Sequence, residues 1–420
     1  MKPILSITIL RAALALVLTF TCSIAGSPAA SAQGSPAVRM VVVMMRHGVR
    51  SPTHPDELNQ YSAQPWPKWS VKGGYLTAHG ALLMRLFGRH YRSLYAALFP
   101  ASGCPAAEAA YVWADVDERT RASGDALAQG LAPGCKIEVH HASGDNDALF
   151  DPLPGFGKVD AARSKASVLG SLGGDPNALA VAYRAEFDEM DAVLGCGTLR
   201  RCTRASTVPS TVTSTGDGGL AEFNGGLDIA ADVAENLLLE YTDGQKNVGW
   251  GRVDRARLTD LLQLHGLKQR FQHEDRYAAQ AHSSNVMLHI LQTLQQGASG
   301  QKVDGTRVPA NARFVALVGH DTQLSELAGL LRLSWLMRGY PVNETPPGSA
   351  LVFELHGSSG AAFVRTFFTA QTLDQMRSGD GGSPGRVPVY VPGCPGYDCP
   401  IDTFTKVVDG AIDTSFTGPW

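Results

Sequence analysis

The sequence has little that would mark a nucleic-acid-binding or membrane-embedded protein. Charged residues make up only 18% of its 420 residues, the formal net charge is −3, and Lys and Arg nowhere form a run of five or more. Bulk charge therefore gives no reason to expect nucleic acid as a partner. Beyond the first 32 residues, no apolar stretch approaches the about 20 residues that span a bilayer. Internal repeats and low-complexity tracts are absent as well.

Several catalytic and cofactor signatures are also missing. The chain contains no G-x-x-x-x-G-K-[ST] and no G-x-S-x-G, so P-loop and serine-hydrolase chemistry lack their minimum parts. It contains no C-x-x-C and no histidine at finger spacing, which argues against zinc. Apolar residues, in contrast, account for 44% of the chain. That share is enough for at least one large core and predicts a globular protein with two lobes.

Residues 1–32 resemble a secretory leader. Lys2 and Arg11 precede an apolar run over 12–20, and small residues then lead to A-S-A at 30–32, which predicts cleavage before Gln33. A membrane anchor is the alternative, but the apolar run is too short to span a bilayer. A lipoprotein attachment at Cys22 is a further alternative in a poor sequence context. We expect an exported chain, periplasmic or secreted, with no membrane attachment after cleavage.

Cysteine usage agrees with export. Without Cys22, six cysteines remain, and an even number in an exported chain favours disulfides. Two close pairs suit small local loops and leave one distant pair, although six cysteines allow many other connectivities. The preferred pairs are Cys196 with Cys202, Cys394 with Cys399, and Cys104 with Cys135.

Three short apolar runs predict buried parallel strands, each followed at once by polar residues. They cover residues 40–45, 110–114 and 314–318, and the polar clusters that follow them cover 46–52, 115–121 and 319–322. In open α/β sheets the ligand lies beyond the carboxyl ends of the strands. We therefore predict a doubly wound, mostly parallel α/β sheet with flanking helices, and one crevice shared by all three clusters.

The middle of the chain has a different pattern. Apolar residues recur at helical spacing over 177–194, 220–241 and 255–296. We expect a mostly helical lobe over 156–297, inserted into an α/β domain formed by 33–155 and 298–420. A hairpin is predicted from 351–355 and 363–368.

The cluster at 46–52 reads R-H-G-V-R-S-P and carries the strongest chemical signal. Arg46 and Arg50 flank His47, and guanidinium groups offer a planar fork of donors that matches phosphate oxygens. A neutral imidazole is a competent nucleophile toward phosphorus once the phosphoryl charge is neutralised. The alternative interpretation is a surface loop with a capping histidine. The position of the cluster directly after a buried strand disfavours this alternative.

Two further clusters add candidates. Arg119 follows Asp117, a potential N-cap, at the start of a helix predicted over 118–131, and helix N-termini attract phosphate. An ordinary charged turn is the alternative interpretation for Arg119, and we assign that interpretation to Arg121. His320 and Asp321 could by themselves be a capping pair at a helix start.

The motif R-H-G-V-R-S-P resembles the R-H-G-x-R-x-P signature of the histidine acid phosphatases, and G-H-D-T at 319–322 resembles the H-D motif of that family. Residues 74–77, 115–121, 249–252 and 346–348 are similar to the bacterial acid phosphatase/phytase branch. The likeness extends in order over essentially the whole chain after the leader. It implies an acid phosphatase that needs no metal and no cofactor.

The resemblance also implies roles for individual residues. His47 would attack phosphorus to form a phosphohistidine, Asp321 would protonate the departing alcohol, and water would then hydrolyse the intermediate. Protonated Asp321 requires acidic conditions unless burial raises its pKa above the ordinary value of about 3.9. The residues implied to hold the phosphoryl oxygens are Arg46, Arg50, Arg119 and His320.

Substrate choice rests on fewer residues. Glu235 falls where related phytases place a pocket glutamate, and Thr322 adjoins the acid. His54 stands where the enteric enzyme has a lysine, and Gln323 stands where an asparagine is usual. We expect a monomer that acts on a small phosphate ester, most of all phytate. The alternatives are sugar phosphates, as in glucose-1-phosphatases, and a phosphate-binding protein without catalysis.

Overall fold

The computed structural model describes residues 37–151, 157–196, 202–214, 219–358 and 360–420. The strands of its central sheet are β1 (Val38–Arg46), β2 (Ala110–Ala114), β3 (Val139–His140), β6 (Phe314–Gly319), β7 (Ala350–His356), β8 (Phe363–Ala370), β9 (Gly385–Val389) and β10 (Cys399–Pro400). Their order across the sheet is β10-β8-β7-β1-β6-β2-β3, and β9 pairs with β8. The predicted leader over 1–32 lies outside the described residues.

The half of the sheet formed by β1, β6, β2 and β3 is parallel. Its register pairs Arg46 with Gly319 and Ala114 with Val318, so these three strands end at the same edge. The α/β prediction is thereby confirmed, and so are its three apolar strands, whose carboxyl ends lie together at the edge where we predict the crevice. The predicted hairpin is β7–β8, which adds an antiparallel half to the sheet.

The helices cover both faces of the sheet and form most of the middle of the chain. They are α1 (Ala78–Leu94), α2 (Glu118–Leu131), α3 (Ala161–Ser171), α4 (Asn177–Ala182), α5 (Arg184–Leu194), α6 (Gly226–Thr242), α7 (Arg255–Lys268), α8 (Arg276–Ser299), α9 (Asp321–Leu331), α10 (Leu373–Ser378) and α11 (Ile401–Ala411). A single π-helical turn, Gln269–His273, follows α7. Among the helices of the described residues, none is long and apolar enough to cross a membrane.

The middle region also contains a hairpin that the helical spacing did not predict. It consists of β4 (Thr211–Ser214) and β5 (Ala221–Asn224), which pair antiparallel. Residues 221–224 fall within a stretch predicted as helix, because four residues are too few for alternation to be distinguished from the start of a helix. Gly225, at φ 86°, separates β5 from α6.

The two faces of β1 enter different cores. Val41, Val43 and Met45 pack with α1 and α2, whereas Met40 and Met44 belong to a larger core shared with the middle helices. Helix α8 packs directly on β1 and β7. The extent of the inserted lobe, 156–297, stays a prediction, and its first boundary falls at residues outside the described ranges.

Three disulfides are formed in the preferred pairing. They join Cys104 to Cys135, Cys196 to Cys202, and Cys394 to Cys399. Cys104–Cys135 encloses the chain from before β2 to beyond α2 and so ties down one wall of the crevice. This predicted pairing of the six cysteines is therefore confirmed.

Glycine at position 80 allows α1 to lie against the loop that follows β1. A Cβ built on Gly80 would lie 2.1 Å from the carbonyl oxygen of Val49. We expect Gly80→Ala to destabilise the fold by about 1–3 kcal/mol, because backbone atoms must move. Thermal melts measure this. Gly170→Ala in α3, with no neighbour within 4 Å of its Cβ, is the matched control, and an equal effect at both positions would contradict the packing argument.

Candidate active site

Strand β6, the segment before β7 and helix α2 hold the loop that follows β1. The His47 amide donates to Gly319 O (2.9 Å) at the end of β6, and its carbonyl accepts from Gly348 N (2.9 Å) before β7. The Gly48 amide donates to Ser123 Oγ on α2 (2.9 Å). Because these partners belong to the sheet, to the segment that enters it and to α2, the backbone that carries the imidazole is held in place.

His47 is nearly fully buried and its ring has a defined tautomer. Nδ1 lies 2.8 Å from Gly48 O, and since a carbonyl only accepts, Nδ1 carries the hydrogen and the lone pair is on Nε2. Burial, assisted by the charges of Arg119 and Arg46, holds the pKa of His47 well below its usual range. The ring is therefore neutral in mildly acidic solution, as a nucleophile must be.

Arg46 lies at the centre of the cationic side of the site and is fully buried. It donates to Thr345 O (2.7 Å), pairs with Glu235, and has Nη2 3.3 Å from Asp321 Oδ2. Burial favours loss of the charge, but Asp321 and Glu235 outweigh it and raise the pKa of Arg46. Arg50 is 3.5 Å from the same Glu235 oxygen.

Arg119 and His320 form the other side of the site around His47. Arg119 Nη2 pairs with Asp117 Oδ2 at 2.6 Å, and His320 Nε2 lies 2.7 Å from Asp115 Oδ2. The His320 ring centroid is 5.5 Å from that of His47. The predicted helix over 118–131 is α2, but the Asp117 side chain makes no capping bond and orients Arg119 instead.

Asp321 is the first residue of α9, and the free site holds it ionised. Burial raises its pKa, but Arg46 and His265 more than reverse that effect, and the pKa lies well below its ordinary value. Sequence reasoning expected either an ordinary pKa or one raised by burial. The difference has a physical cause, because the cations that would bind phosphate also stabilise the carboxylate while no substrate is bound.

The remaining predicted pocket residues fall in different places. Glu235 is buried between the two arginines, and together with Arg50 and His54 it lines a cavity of about 100 Å³. His54 is on the rim, with its side chain 73% exposed. The Thr322 amide donates to Asp321 Oδ1 (3.0 Å). Gln323 is buried, accepts from the His320 amide (2.8 Å) and donates to Phe150 O (3.0 Å), so it caps α9.

His265 on α7 is a member of this site that sequence reasoning missed. Its Nε2 is 3.7 Å from Asp321 Oδ2 and 4.0 Å from Glu235 Oε2, and its Nδ1 is 3.1 Å from Glu344 Oε1. It stands inside an ordinary helical pattern with no motif around it, and Glu344 is 79 residues away in the sequence. Only the tertiary structure brings these side chains together.

Charges balance in the part of the site around Arg46. Three cations, Arg46, Arg50 and His265, face three carboxylates, Glu235, Asp321 and Glu344. Because buried charges are costly unless paired, this balance allows the cluster to exist in a folded protein.

Two groups of side chains in the site could be considered as metal ligands, because their ligand atoms lie within 4.8 Å of one another. They are Asp115, Asp117 and His320, and Glu235, His265 and Asp321. Since arginines already contact both sets of carboxylates, we assign no metal site, and the metal-free reaction stays a prediction.

The charge on His265 makes stability depend on pH. Burial would lower its pKa, but Glu344 and Asp321 outweigh burial and raise it from 6.5 to about 10. A group with a raised pKa in the folded state stabilises fully below its unfolded pKa and loses that contribution as pH rises through the folded value. We expect the Tm gap between the wild type and His265→Gln to be wide near pH 6 and narrower toward pH 10. A gap that stays constant over this range would show that His265 is not charged in the fold.

Comparison with known proteins assigns the class of this site. Residues 37–171 match the model of the histidine phosphatase superfamily (branch 2). Phytase AppA from Escherichia coli (strain K12) is 32% identical over 413 residues, covering 91% of this chain and 94% of that protein. The chain therefore belongs to the histidine phosphatase superfamily, branch 2, and is a histidine acid phosphatase.

Two further comparisons describe its relatives. Glucose-1-phosphatase from Providencia rettgeri is 27% identical over 406 residues, covering 91% of this chain and 93% of that protein. The solved structure of Hafnia alvei phytase in complex with tartrate superposes with a TM-score of 0.86 at 30% identity, covering 92% of this chain and all of that one. Both the fold and the family expected from the sequence are thus confirmed.

Proposed function

We propose that the protein hydrolyses phosphomonoesters through a phosphohistidine on His47, with phytate as its main substrate. The buried, neutral His47 ring carries this proposal, since its free Nε2 lies among four cationic or hydrogen-bonding side chains, namely Arg46, Arg50, Arg119 and His320. Positioned donors stabilise charge on a transferring phosphoryl group, each by about 3–4 kcal/mol.

The reaction takes two steps. In the first, His47 Nε2 bonds to phosphorus, the ester P–O bond breaks, and protonated Asp321 donates to the leaving oxygen. In the second, water attacks phosphorus, its proton passes to Asp321, and the P–N bond breaks to release phosphate and restore His47. Asp321 therefore serves as acid and then as base, and its proton is conserved over the cycle.

The relatives favour phytate as the substrate, whereas residues of this chain argue both for phytate and for a smaller ester. The phytases from Escherichia coli and Hafnia alvei match at 32% and 30% identity, above the 27% of the glucose-1-phosphatase. His54 on the rim is well exposed and could contact a second phosphate when protonated. The same small cavity is also lined by Glu57 and Asp232, which would repel additional phosphates. These acids favour the second candidate substrate, a small ester such as glucose 1-phosphate.

Steady-state kinetics with EDTA at acidic pH separates the two substrates. The proposal predicts a higher kcat/KM for phytate than for glucose 1-phosphate, and activity that EDTA leaves intact. A preference for the sugar phosphate would move the assignment to the small-ester alternative. Loss of activity with EDTA that added metal restores would contradict the metal-free route.

We also propose that the protein is exported. The predicted leader and three disulfides, which form in oxidising compartments, support this. Mass spectrometry of the protein from its native host should find an N-terminus at Gln33. An intact leader on active protein would contradict cleavage.

A further inference from the structure

A buried histidine and glutamate adjoin the group that must donate a proton during catalysis. His265 and Glu344 are 4% and 2% exposed, so neither exchanges protons freely with solvent. Glu344 contacts Nδ1 of the ring, and Asp321 lies 3.7 Å from Nε2 on the opposite side. The three groups thus form a line, Glu344–His265–Asp321, that ends at the proposed acid.

Asp321 has no proton in the free site, yet an alkoxide leaving group needs one. The guanidinium of Arg46 lies 3.3 Å from Asp321 Oδ2, where it stabilises the carboxylate. When a phosphate ester binds, its negative charge offsets that of Arg46 and raises the proton affinity of Asp321. A proton must then reach a carboxyl group enclosed by substrate, and the His265 ring is the charged donor on its buried side.

We propose that His265 is a positioning residue that stores a proton and passes it to Asp321 once an alkyl phosphate is bound. This inference rests on the function proposed above. The transfer breaks the Nε2–H bond of His265 and forms an O–H bond on Asp321, which leaves a neutral ring held by Glu344. Asp321 then protonates the alkoxide, recovers a proton from the attacking water, and returns it to His265 as phosphate leaves.

Charged neighbours from each element around the ring are consistent with a stored proton. Glu235 on α6, Asp321 on α9 and Glu344 before β7 face it, and Asp232 on α6 acts on it at longer range. The amide nitrogen of Gln269 lies 3.1 Å from Nε2. The amide oxygen is buried and has no hydrogen-bond partner among the described residues, and rotation of this amide by 180° places the oxygen where it accepts the Nε2–H. Three carboxylates around one ring raise its pKa to about 10, so the imidazolium is fully formed before substrate arrives.

The test compares two leaving groups in His265→Gln. p-Nitrophenyl phosphate releases a phenolate that needs little protonation, whereas glycerol 2-phosphate releases an alkoxide that needs a proton. We expect kcat for glycerol 2-phosphate to fall about tenfold or more, with kcat for p-nitrophenyl phosphate within about threefold of wild type. The activity of this variant on glycerol 2-phosphate should also depend more strongly on acidic pH than that of the wild type.

Glu344→Gln is the second variant, because it keeps the ring and removes only the carboxylate that holds its charge. It should lower alkyl-phosphate turnover selectively, by less than His265→Gln. His356→Gln is the matched control, since it breaks a buried His–Glu pair (His356 Nε2 to Glu354 Oε2, 2.9 Å) at the far end of β7. It should leave the ratio of the two activities unchanged.

The possible results distinguish a failure of the proton-storage role of His265 from a failure of the proposed function. Equal losses on both esters in His265→Gln, or no loss on either, would overturn the proton-storage role and leave the proposed function standing. A wild-type enzyme inactive on both esters would instead defeat the proposed function itself. Selective loss in both site variants and not in His356→Gln is the result that supports the inference.

Discussion

His47→Asn lowers kcat for every phosphate ester by at least about 10⁴-fold, since it removes the atom that bonds to phosphorus. Asparagine can still donate to Gly48 O, as Nδ1 of His47 does, so the loop keeps its position. Because the neutral His47 ring is surrounded by cations, its removal breaks no ion pair that the fold needs. Phosphate release from p-nitrophenyl phosphate and phytate, measured beside a thermal melt, should show lost activity in a folded protein.

His141→Asn provides the control for this substitution. His141 is exposed, and its Nδ1 likewise lies close to a neighbouring carbonyl, Ala142 O at 2.7 Å, but it follows β3, which is three strands away from β1 in the sheet. We expect wild-type kinetics from it. If His47→Asn retained more than about a hundredth of wild-type turnover, a group other than His47 would have to form the bond to phosphorus.

Arg46→Leu should lower both stability and activity. Arg46 is fully buried and contacts both Glu235 and Asp321. Its loss leaves two buried carboxylates facing a reduced positive charge, which we expect to cost about 3–5 kcal/mol in the free energy of unfolding. The loss of a phosphoryl donor should lower kcat by a further factor of about 10²–10³. Urea titration and steady-state kinetics measure the two effects separately.

Arg46→Lys distinguishes charge from geometry at this position. Lysine keeps the charge, so it should recover most of the stability, but it has no planar fork and should recover little activity. Arg39→Leu, near the opposite end of β1, controls for removing an arginine from this strand and should cost about 0.5 kcal/mol or less. Full stability in Arg46→Leu would mean that Glu235 and Asp321 do not depend on Arg46 to remain charged in the folded protein.

The sheet and its motifs could be predicted because their signals are local. The runs at 40–45, 110–114 and 314–318 are continuous apolar stretches, and strand polarity then places their polar ends at one edge. Five of the six residues assigned to phosphate chemistry lie in the clusters that follow two of these runs, and Arg119 lies in the cluster that follows the third. The hairpin β4–β5 was missed because its strands are only four residues long.

The charge state of the site could not be predicted for a different reason. The pKa of Asp321 depends on the distance to Arg46 and His265, and neither distance is encoded in a local pattern. His265 and Glu344 have no motif, and they meet only because α7 and the segment before β7 pack on the same side of the crevice. Sequence identified the reacting groups, and the tertiary structure determined their protonation.

Trapping the covalent intermediate tests directly whether His47 is the residue that bonds to phosphorus. Enzyme mixed with excess p-nitrophenyl phosphate would be quenched in alkali, where phosphohistidine survives, then digested and mapped by mass spectrometry. We expect a phosphoryl group on the peptide that contains His47, present in the wild type and absent from His47→Asn. Full turnover with no phosphorylated His47 at any quench time, or a phosphoryl group on a different residue, would contradict it.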